Sequence, residues 1–138
     1  MTNRVGTIES GTLKRSNPND AGQDVYSDQS LLIYAGKSAM IKTNLRINVP
    51  LGHVGILKSR SGLSVKHSLE VGAGVVDSGY TGEVMVHLYN HGELHYQVNI
   101  GDKIAQLLTL PVNLEDYHQV ENLIETSRGT SGFGSSGK

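Results

Sequence analysis

Apolar and polar residues alternate along this chain, and this alternation limits the folds that it can adopt. The stretches 44–49, 84–88 and 94–100 place an apolar residue at every second position. A period of two puts these side chains on one face of a β-strand, so each stretch predicts a half-buried strand. Three further short apolar stretches lie at 31–33, 54–57 and 104–110.

Turn-forming residues separate the predicted strands at intervals of about ten residues, as in sandwiches and barrels. The chain has 17 glycines in 138 residues, above the usual share of about 7%. Glycine favours tight turns and disfavours a helical bundle. We therefore expect one all-β domain, a barrel or double-sheet roll, with one short helix from Ser61 to Leu69.

Charge and composition exclude several classes of protein. Lys plus Arg number 12 and Asp plus Glu number 13, which gives a formal net charge of −1. A nucleic-acid binder would have a basic surface, so we expect no nucleic-acid partner. The chain has no cysteine, which excludes disulfides and thiolate chemistry. With no apolar signal-like N-terminus and no apolar run of ~20 residues, we expect a cytoplasmic protein with no membrane partner, in the host-cell cytoplasm if the chain is viral.

The last thirteen residues, 126–138, read T-S-R-G-T-S-G-F-G-S-S-G-K. This composition is typical of a disordered tail. Phe133 is the only Phe of the chain, and Arg128 opens the glycine run. An aromatic face, a cation and many backbone N–H groups suit a flap that closes on a nucleotide. We therefore divide the chain into a β-barrel domain, 1–125, and a flexible C-terminal arm, 126–138.

The segment His91-Gly92-Glu93-Leu94-His95 has two histidines four residues apart. A zinc-protease motif places the Glu next to the first His and requires a helix. Gly92 and the alternation that follows it instead predict the tip of a β-hairpin.

Five segments combine glycine with charged or polar residues, and they are the candidates for a functional site. They lie at 21–25, 59–63, 74–83, 101–107 and 127–138. Their donors for phosphate oxygens are Arg60, Ser61 and Arg128, and a helix that begins near Ser61 adds backbone N–H groups.

Carboxylates and aromatic rings complete these segments. Asp24 and Asp77 could serve a hard cation or activate water, and Tyr80 and Phe133 could pack on a base or a sugar. Each residue also has a structural explanation, because aspartates form turns, arginines form surface ion pairs and tyrosines fill cores.

In order and spacing, the five segments resemble the five motifs of the trimeric dUTP pyrophosphatases (dUTPases), over residues 21–138. The resemblance implies a jelly-roll-like β-barrel and a homotrimer, with three active sites that each draw on all three subunits. The implied enzyme is a dUTP diphosphatase, which hydrolyses its substrate dUTP to the products dUMP and pyrophosphate with Mg²⁺ on the triphosphate. It would limit uracil in DNA and supply dUMP for dTMP synthesis.

The resemblance also implies a role for each matching residue. Asp77 would activate the water that attacks the α-phosphorus, and Tyr80 would pack under the deoxyribose. A β-hairpin from Gly72 to Tyr80 would form the uracil slot. Asp24 would act near the metal through water and order Arg60. The remaining substrate-binding residues would be Arg60, Ser61, Gly62, Gly72, Gly74, Val75, Gln106, Arg128, Phe133, Gly134, Ser135 and Ser136.

Within the arm, Arg128 would reach the γ-phosphate and Phe133 would stack over uracil, while Gly134, Ser135 and Ser136 would close on the phosphates. The chain departs from the commonest motif residues at Val25, Ser59 and Thr81, and Thr81 removes a cation near the subunit boundary. The alternatives are a dUTP-binding regulatory protein of the same family, a dCTP deaminase of the same fold and a barrel without a ligand.

Overall fold

The computed structural model describes residues 4–134, which contain eleven β-strands and one α-helix. The first six strands are β1 (Thr7–Ser10), β2 (Leu13–Lys14), β3 (Gln23–Tyr26), β4 (Leu31–Ile33), β5 (Ser38–Asn48) and β6 (His53–Lys58). After them come α1 (Ser61–His67), β7 (Leu69–Gly72), β8 (Val75–Asp77), β9 (Glu83–Asn90), β10 (Tyr96–Val98) and β11 (Lys103–Pro111).

The strands form three antiparallel sheets. One sheet has the order β1-β5-β9-β7, a second has the order β2-β3-β11-β6-β8, and β10 pairs with β4 in a small third sheet. Neighbouring strands are mostly distant in sequence, as expected of a jelly roll. The prediction of an all-β, jelly-roll-like fold with one short helix is confirmed.

The core lies between the inner faces of the two large sheets. The alternating residues of 44–49 and 84–88 are buried as predicted, because β5 and β9 each turn one face inward. The opposite sheet contributes Val25, Leu57, Ala105 and Leu107. Burial of these aliphatic side chains is the main source of stability in such a fold.

The helix α1 is shorter than predicted, ending at His67 rather than Leu69. Ser68 adopts a left-handed conformation (φ 56°) and its N–H bonds back to the last turn, which ends the helix. Leu69 is buried as the first residue of β7. The Tyr96 ring packs on His67, and burial, followed by the charge of Asp102, raises the pKa of the Tyr96 phenol.

Two predicted hairpins are wrong. Segment 91–95 connects β9 to β10, which belong to different sheets, and so it is not a hairpin tip. Segment 72–80 contains β7 and β8, but β7 pairs with β9 and β8 pairs with β6, so it crosses from one sheet to the other. The strand predicted over 94–100 is also shorter, since β10 covers only Tyr96–Val98, and Leu94 and Ile100 outside it are 83% and 66% exposed.

After Pro111 the described chain, up to residue 134, has no further helix or strand, and its side chains are almost all exposed. Within residues 4–134, no helix has the length and apolar character that crossing a membrane requires.

Candidate active site

One cleft is lined by residues from three of the five sequence segments: Asp24, Arg60, Ser61 and Gln106. We call this cleft, of about 280 Å³, the Asp24 cleft; its other lining residues are Ser16, Asp20, Ala21 and Gly22. Asp24 on β3 lies opposite Gln106 on β11 because the two strands are paired at this register. Arg60 and Ser61 lie between β6 and the first turn of α1, which brings them to the same edge.

The Asp24 carboxylate is buried and its charge is compensated. It accepts a hydrogen bond from Ser16 Oγ at 2.9 Å. Arg60 Nε lies 3.4 Å from Oδ1, and Lys103 Nζ lies 3.5 Å from Oδ2. Because two cations and a hydroxyl surround it, this carboxylate is suited to ordering Arg60 and poorly placed to take a proton from water.

The amide group of Gln106 is held at both its nitrogen and its oxygen. Its Nε2 donates to the carbonyl oxygen of Ser59 at 3.0 Å. On the other side, a Cβ at position 22 would overlap Gln106 Oε1, so any larger residue there would have to displace the amide. The amide oxygen therefore lies against the Gly22 backbone, at the wall of the Asp24 cleft.

A second group of predicted residues lies on the segment that crosses between the sheets. Asp77 ends β8, and the N–H of Tyr80 donates to its carbonyl oxygen at 3.2 Å. This closes a turn, 77–80, in which Gly79 has a φ of 90° that favours glycine. The Gly79 N–H donates to Asn48 Oδ1 at 3.2 Å, so β5 supports the turn. We call residues 77–80 the Asp77 turn.

The Asp77 carboxylate contrasts with that of Asp24. Its side chain is exposed, and no residue between 4 and 134 forms a hydrogen bond or ion pair with it. Tyr80, three residues later in the same turn, is 48% exposed, and its hydroxyl donates to the carbonyl oxygen of Glu83 at 2.8 Å. A free carboxylate next to an anchored aromatic ring can accept a proton from water while the ring contacts a sugar.

The predicted uracil segment, 72–75, has an unusual backbone. Ala73 and Gly74 both have positive φ values, 51° and 105°. The carbonyl oxygen of Gly74 accepts a hydrogen bond from the Leu57 N–H at 2.7 Å, and a Cβ at Gly74 would lie 2.8 Å from the Leu57 carbonyl oxygen. Val75 next to it is exposed. The close packing on β6 therefore requires a glycine at position 74 and leaves the outer side of the segment accessible.

The Asp77 turn and the Asp24 cleft of one chain are well separated. Asp77 is paired with Val54 on β6, whereas Gln106 is paired with Lys58 on the same strand. Four residues of strand span roughly 13 Å, and the two strand spacings from β8 to β11 add about 10 Å across the sheet. Asp77 and Gln106 of one chain cannot contact the same phosphate group.

The predicted arm residues are described as far as Gly134, and Ser135 and Ser136 lie outside the described residues. Arg128 Nε donates to the carbonyl oxygen of Ser131 at 2.7 Å, within the arm. Phe133 is fully exposed. One chain thus presents its predicted site residues, as far as Gly134, at three places: the Asp24 cleft, the crossing segment 72–80 and the arm. Gly62 lies at the edge of the first of these, in α1, with open space around its Cα.

Sequence reasoning did not assign a role to Ser16, Gly22 or Lys103, which complete the Asp24 cleft or its charge balance. The sequence places two of them inside candidate segments, Gly22 in 21–25 and Lys103 in 101–107, and the structure shows what each does. Gly22 precedes a strand without being needed for a positive φ, which indicates a close approach of another group. Lys103 follows the turn at Gly101 and lies at a register shift in β11, which lets its side chain reach Asp24.

Comparison with known proteins gives a consistent result. The family model of dUTPase matches residues 9–137. The deoxyuridine 5'-triphosphate nucleotidohydrolase of Kluyveromyces lactis is 47% identical over 120 residues, 86% of this chain and 80% of that protein. The protein of the same name from Mus musculus is 43% identical over 124 residues, 90% of this chain and 76% of that protein.

Solved structures agree with the sequence relatives. A mutant of the Staphylococcus bacteriophage 80alpha dUTPase with dUpNHpp superposes with a TM-score of 0.93 at 27% identity, covering 99% of this chain and all of that chain (100%). A mutant dUTPase from phage phi11 of S. aureus, described as coordinating a structural Mg(II) ion, has a TM-score of 0.81 at 27% identity and covers 88% of this chain and 99% of that one.

Proposed function

Because the chain belongs to the dUTPase family, we propose that it hydrolyses dUTP to dUMP and pyrophosphate at a site shared between copies of the chain. Asp77 removes a proton from a water molecule as the water oxygen bonds to the α-phosphorus. The bond from that phosphorus to the bridging oxygen breaks, and pyrophosphate leaves. Such a dUTP diphosphatase limits uracil in DNA and supplies dUMP for dTMP synthesis.

The observation that supports this assignment most strongly is the contrast between the two carboxylates. Asp24 is buried against Arg60 and Lys103, at 3.4 and 3.5 Å. Asp77 is exposed, and its carboxylate has no hydrogen-bond or ion-pair partner among residues 4–134. A general base needs a free carboxylate within reach of water, and of the two only Asp77 meets this condition.

We assign the triphosphate to the Asp24 cleft. Arg60 is anchored through Nε, so its two terminal nitrogens are available to phosphate oxygens. Ser61, Gly62 and the amide of Gln106 complete this phosphate-binding group. Fixed cations and donors stabilise the charge that develops on the leaving pyrophosphate.

The residues of the cleft fit a magnesium ion carried by the substrate. Residues 4–134 contain no group of three or more His, Asp or Glu side chains that could hold a metal ion directly. Asp24 is already engaged by Ser16, Arg60 and Lys103, so it would reach a triphosphate-bound Mg²⁺ through a water molecule. The ion, when bound, neutralises phosphate charge and orients the triphosphate.

The base and the sugar are assigned to the crossing segment. Uracil would be recognised by backbone groups of Gly72, Gly74 and Val75. Gly72 is held by its pairing with β9, and the other two are held by packing on β6. Fixed backbone donors and acceptors reject cytosine, because its exchanged amino group would leave them unpaired. Tyr80 would pack under the deoxyribose, where a 2′-hydroxyl would meet the ring.

The arm, residues 126–138, would close over the bound nucleotide. Arg128 would reach the γ-phosphate and Phe133 would stack on uracil, with Gly134, Ser135 and Ser136 on the phosphates. The Arg128 guanidinium and the Phe133 ring are both exposed and so available to a ligand. Closure would exclude water other than the attacking molecule.

We further propose that the protein is a homotrimer. The wide separation of Asp77 from Gln106 in one chain supports a site in which the Asp77 turn of one copy faces the Asp24 cleft of another. The exposed segment 112–125, which leads to the arm and includes apolar residues such as Leu114 and Leu123, would extend over a further copy.

The test measures pyrophosphate release with Mg²⁺ from dUTP, dCTP, dTTP and UTP, together with dUTP affinity by calorimetry. Asp77→Ala is expected to lower turnover of dUTP by roughly a thousandfold or more, the effect of a lost general base, while affinity stays within a few-fold. Asp28→Asn, which alters another exposed carboxylate, is the matched control. A loss of affinity as large as the loss of rate would contradict the role of Asp77. Tight dUTP binding with no release by the unaltered protein would favour a regulatory protein.

A further inference from the structure

The central strand β5 contains a bulge that faces Glu83. Its pairing with β9 shifts register between Ile41 and Leu45, and Asn44 has a φ of 57°. The N–H groups of Thr43 and Asn44 therefore do not bond to backbone carbonyls of β9. Both donate instead to Glu83 Oε2, at 3.1 and 2.8 Å. The carboxylate thus supplies the acceptor that the ladder lacks at the bulge.

The main chain of the same residue holds Tyr80. The Tyr80 hydroxyl donates to the Glu83 carbonyl oxygen at 2.8 Å. The ring also lies directly against Gly82, because a Cβ at position 82 would lie 2.5 Å from Oη and 2.7 Å from Cζ of Tyr80. The side chain of Tyr80 is therefore tied at its hydroxyl and supported along its edge.

We propose that Glu83 is a positioning residue that sets the discrimination between dUTP and UTP. Its carboxylate binds the bulge of β5 and so fixes the main chain of Glu83. Its carbonyl oxygen then fixes the position of the Tyr80 ring relative to the sheet. This inference rests on the proposed function, in which Tyr80 packs under the deoxyribose. A ring that cannot retreat excludes a 2′-hydroxyl by overlap, whereas a ring that can move admits it.

The experiment compares kcat/KM for dUTP and for UTP in a set of variants. Glu83→Ala removes the acceptor for two N–H groups, and we expect the dUTP to UTP ratio to fall roughly fivefold or more, as the loss of about one net hydrogen bond allows. Glu83→Gln keeps an oxygen at the same place and should keep most of the ratio. Glu9→Ala, an exposed Glu on β1 of the same sheet, is the control.

Tyr80→Phe provides a second route, because it removes the bond to Glu83 and leaves the bulge intact. We expect it to lower the ratio to a similar extent. The double variant Glu83→Ala, Tyr80→Phe should lose no more than the larger single loss, because both changes act through one contact. Additive losses would overturn the inference. If Glu83→Ala does not fold, an unchanged ratio in Tyr80→Phe overturns it.

Tyr80→Ala separates this inference from the proposed function. If Tyr80→Ala leaves the ratio unchanged, the assignment of the sugar to Tyr80 fails. If Tyr80→Ala lowers the ratio but Glu83→Ala does not, that assignment stands and the positioning role of Glu83 is refuted. Equal losses of dUTP and UTP turnover in Glu83→Ala would indicate a purely structural role and would also refute it.

Discussion

Gly22 illustrates how a residue without a side chain can determine the geometry of a site. Its φ is not positive, so glycine is not needed there for backbone conformation. It is needed because Gln106 occupies the space where a Cβ would be, with Oε1 at 2.2 Å and Cδ at 2.9 Å. The amide end of Gln106 is therefore confined between the Gly22 backbone and the Ser59 carbonyl oxygen.

We expect Gly22→Ala to displace the Gln106 amide and lower turnover of dUTP by roughly tenfold or more, since misplacement of a group by about 1 Å has effects of this size. Turnover is measured by pyrophosphate release and stability by thermal unfolding. The double variant Gly22→Ala, Gln106→Ala removes the overlap, so it should recover most of the melting temperature but not the activity. A single variant with unchanged turnover would show that the Gln106 amide has no role in catalysis.

Charge at single residues distinguishes the two aspartates. Both are acidic residues near glycines, and the sequence assigns both to a site for the same chemical reasons. Their environments differ because Asp24 lies between Arg60 and Lys103, whereas Asp77 faces solvent. Pairing of this kind comes from strand register, since Asp24 lies opposite Gln106 and near Lys103 only through the β3–β11 ladder.

At the scale of elements, β5 is the strand that organises the crossing segment. Its eleven residues, Ser38–Asn48, pair with β1 on one side and β9 on the other. Asn48 at its end accepts a hydrogen bond from Gly79, Arg46 donates to the Thr81 carbonyl oxygen at 3.4 Å, and its bulge binds Glu83. The segment that contains Asp77 and Tyr80, the residues predicted to contact water and the sugar, is therefore attached to a core strand.

The arm is the element whose removal should separate activity from assembly. Among the described residues the last strand ends at Pro111, so a deletion of residues 126–138 removes none of the strands described in 4–134. We expect the truncated protein to keep its oligomeric mass in analytical ultracentrifugation and to lose nearly all dUTP turnover, because the phosphates and the base lose the covering side chains. Phe133→Ala, which leaves the arm in place, should show an intermediate loss. Full activity after truncation would exclude the arm from the site.

At the scale of the whole molecule, the two large sheets enclose one core and leave the predicted site residues at separate places on the surface. The Asp77 turn follows the outer edge strand β8, whereas the Asp24 cleft contains residues of β11 and β3, two and three strands away in the same sheet. A site made from both groups requires a second copy of the chain, and closed rotational symmetry then repeats it in every copy.

Mixing two inactive variants tests this arrangement. Asp77→Ala and Arg60→Ala should each be nearly inactive. The two variants are then unfolded and refolded together in equal amounts. If each site combines the turn of one copy with the cleft of another, random assembly should restore about a quarter of the wild-type rate. A mixture of Arg60→Ala with Gln106→Ala should show no gain, because these residues line one cleft of one copy. No gain in the first mixture would place the site within a single chain.

The sequence by itself determined the fold class, the buried faces of the long strands and the five segments that contain the candidate residues. The buried positions of β5 and β9 follow from an alternation that is visible locally, because a strand exposes successive residues to opposite sides. The order and spacing of these segments resemble the dUTPase family. The family model, which matches residues 9–137, confirms that the chain belongs to it.

Only the tertiary structure decided which strands are neighbours and which polar groups meet. The segments 72–80 and 91–95 look like hairpins because strand-like residues surround a turn, yet each connects two sheets. The contact of Gly22 with Gln106 and the binding of the β5 bulge by Glu83 join residues about forty or more positions apart. Local periodicity records which side of a strand is buried, whereas pairing depends on how all the strands close around one core, and no short stretch of sequence contains that information.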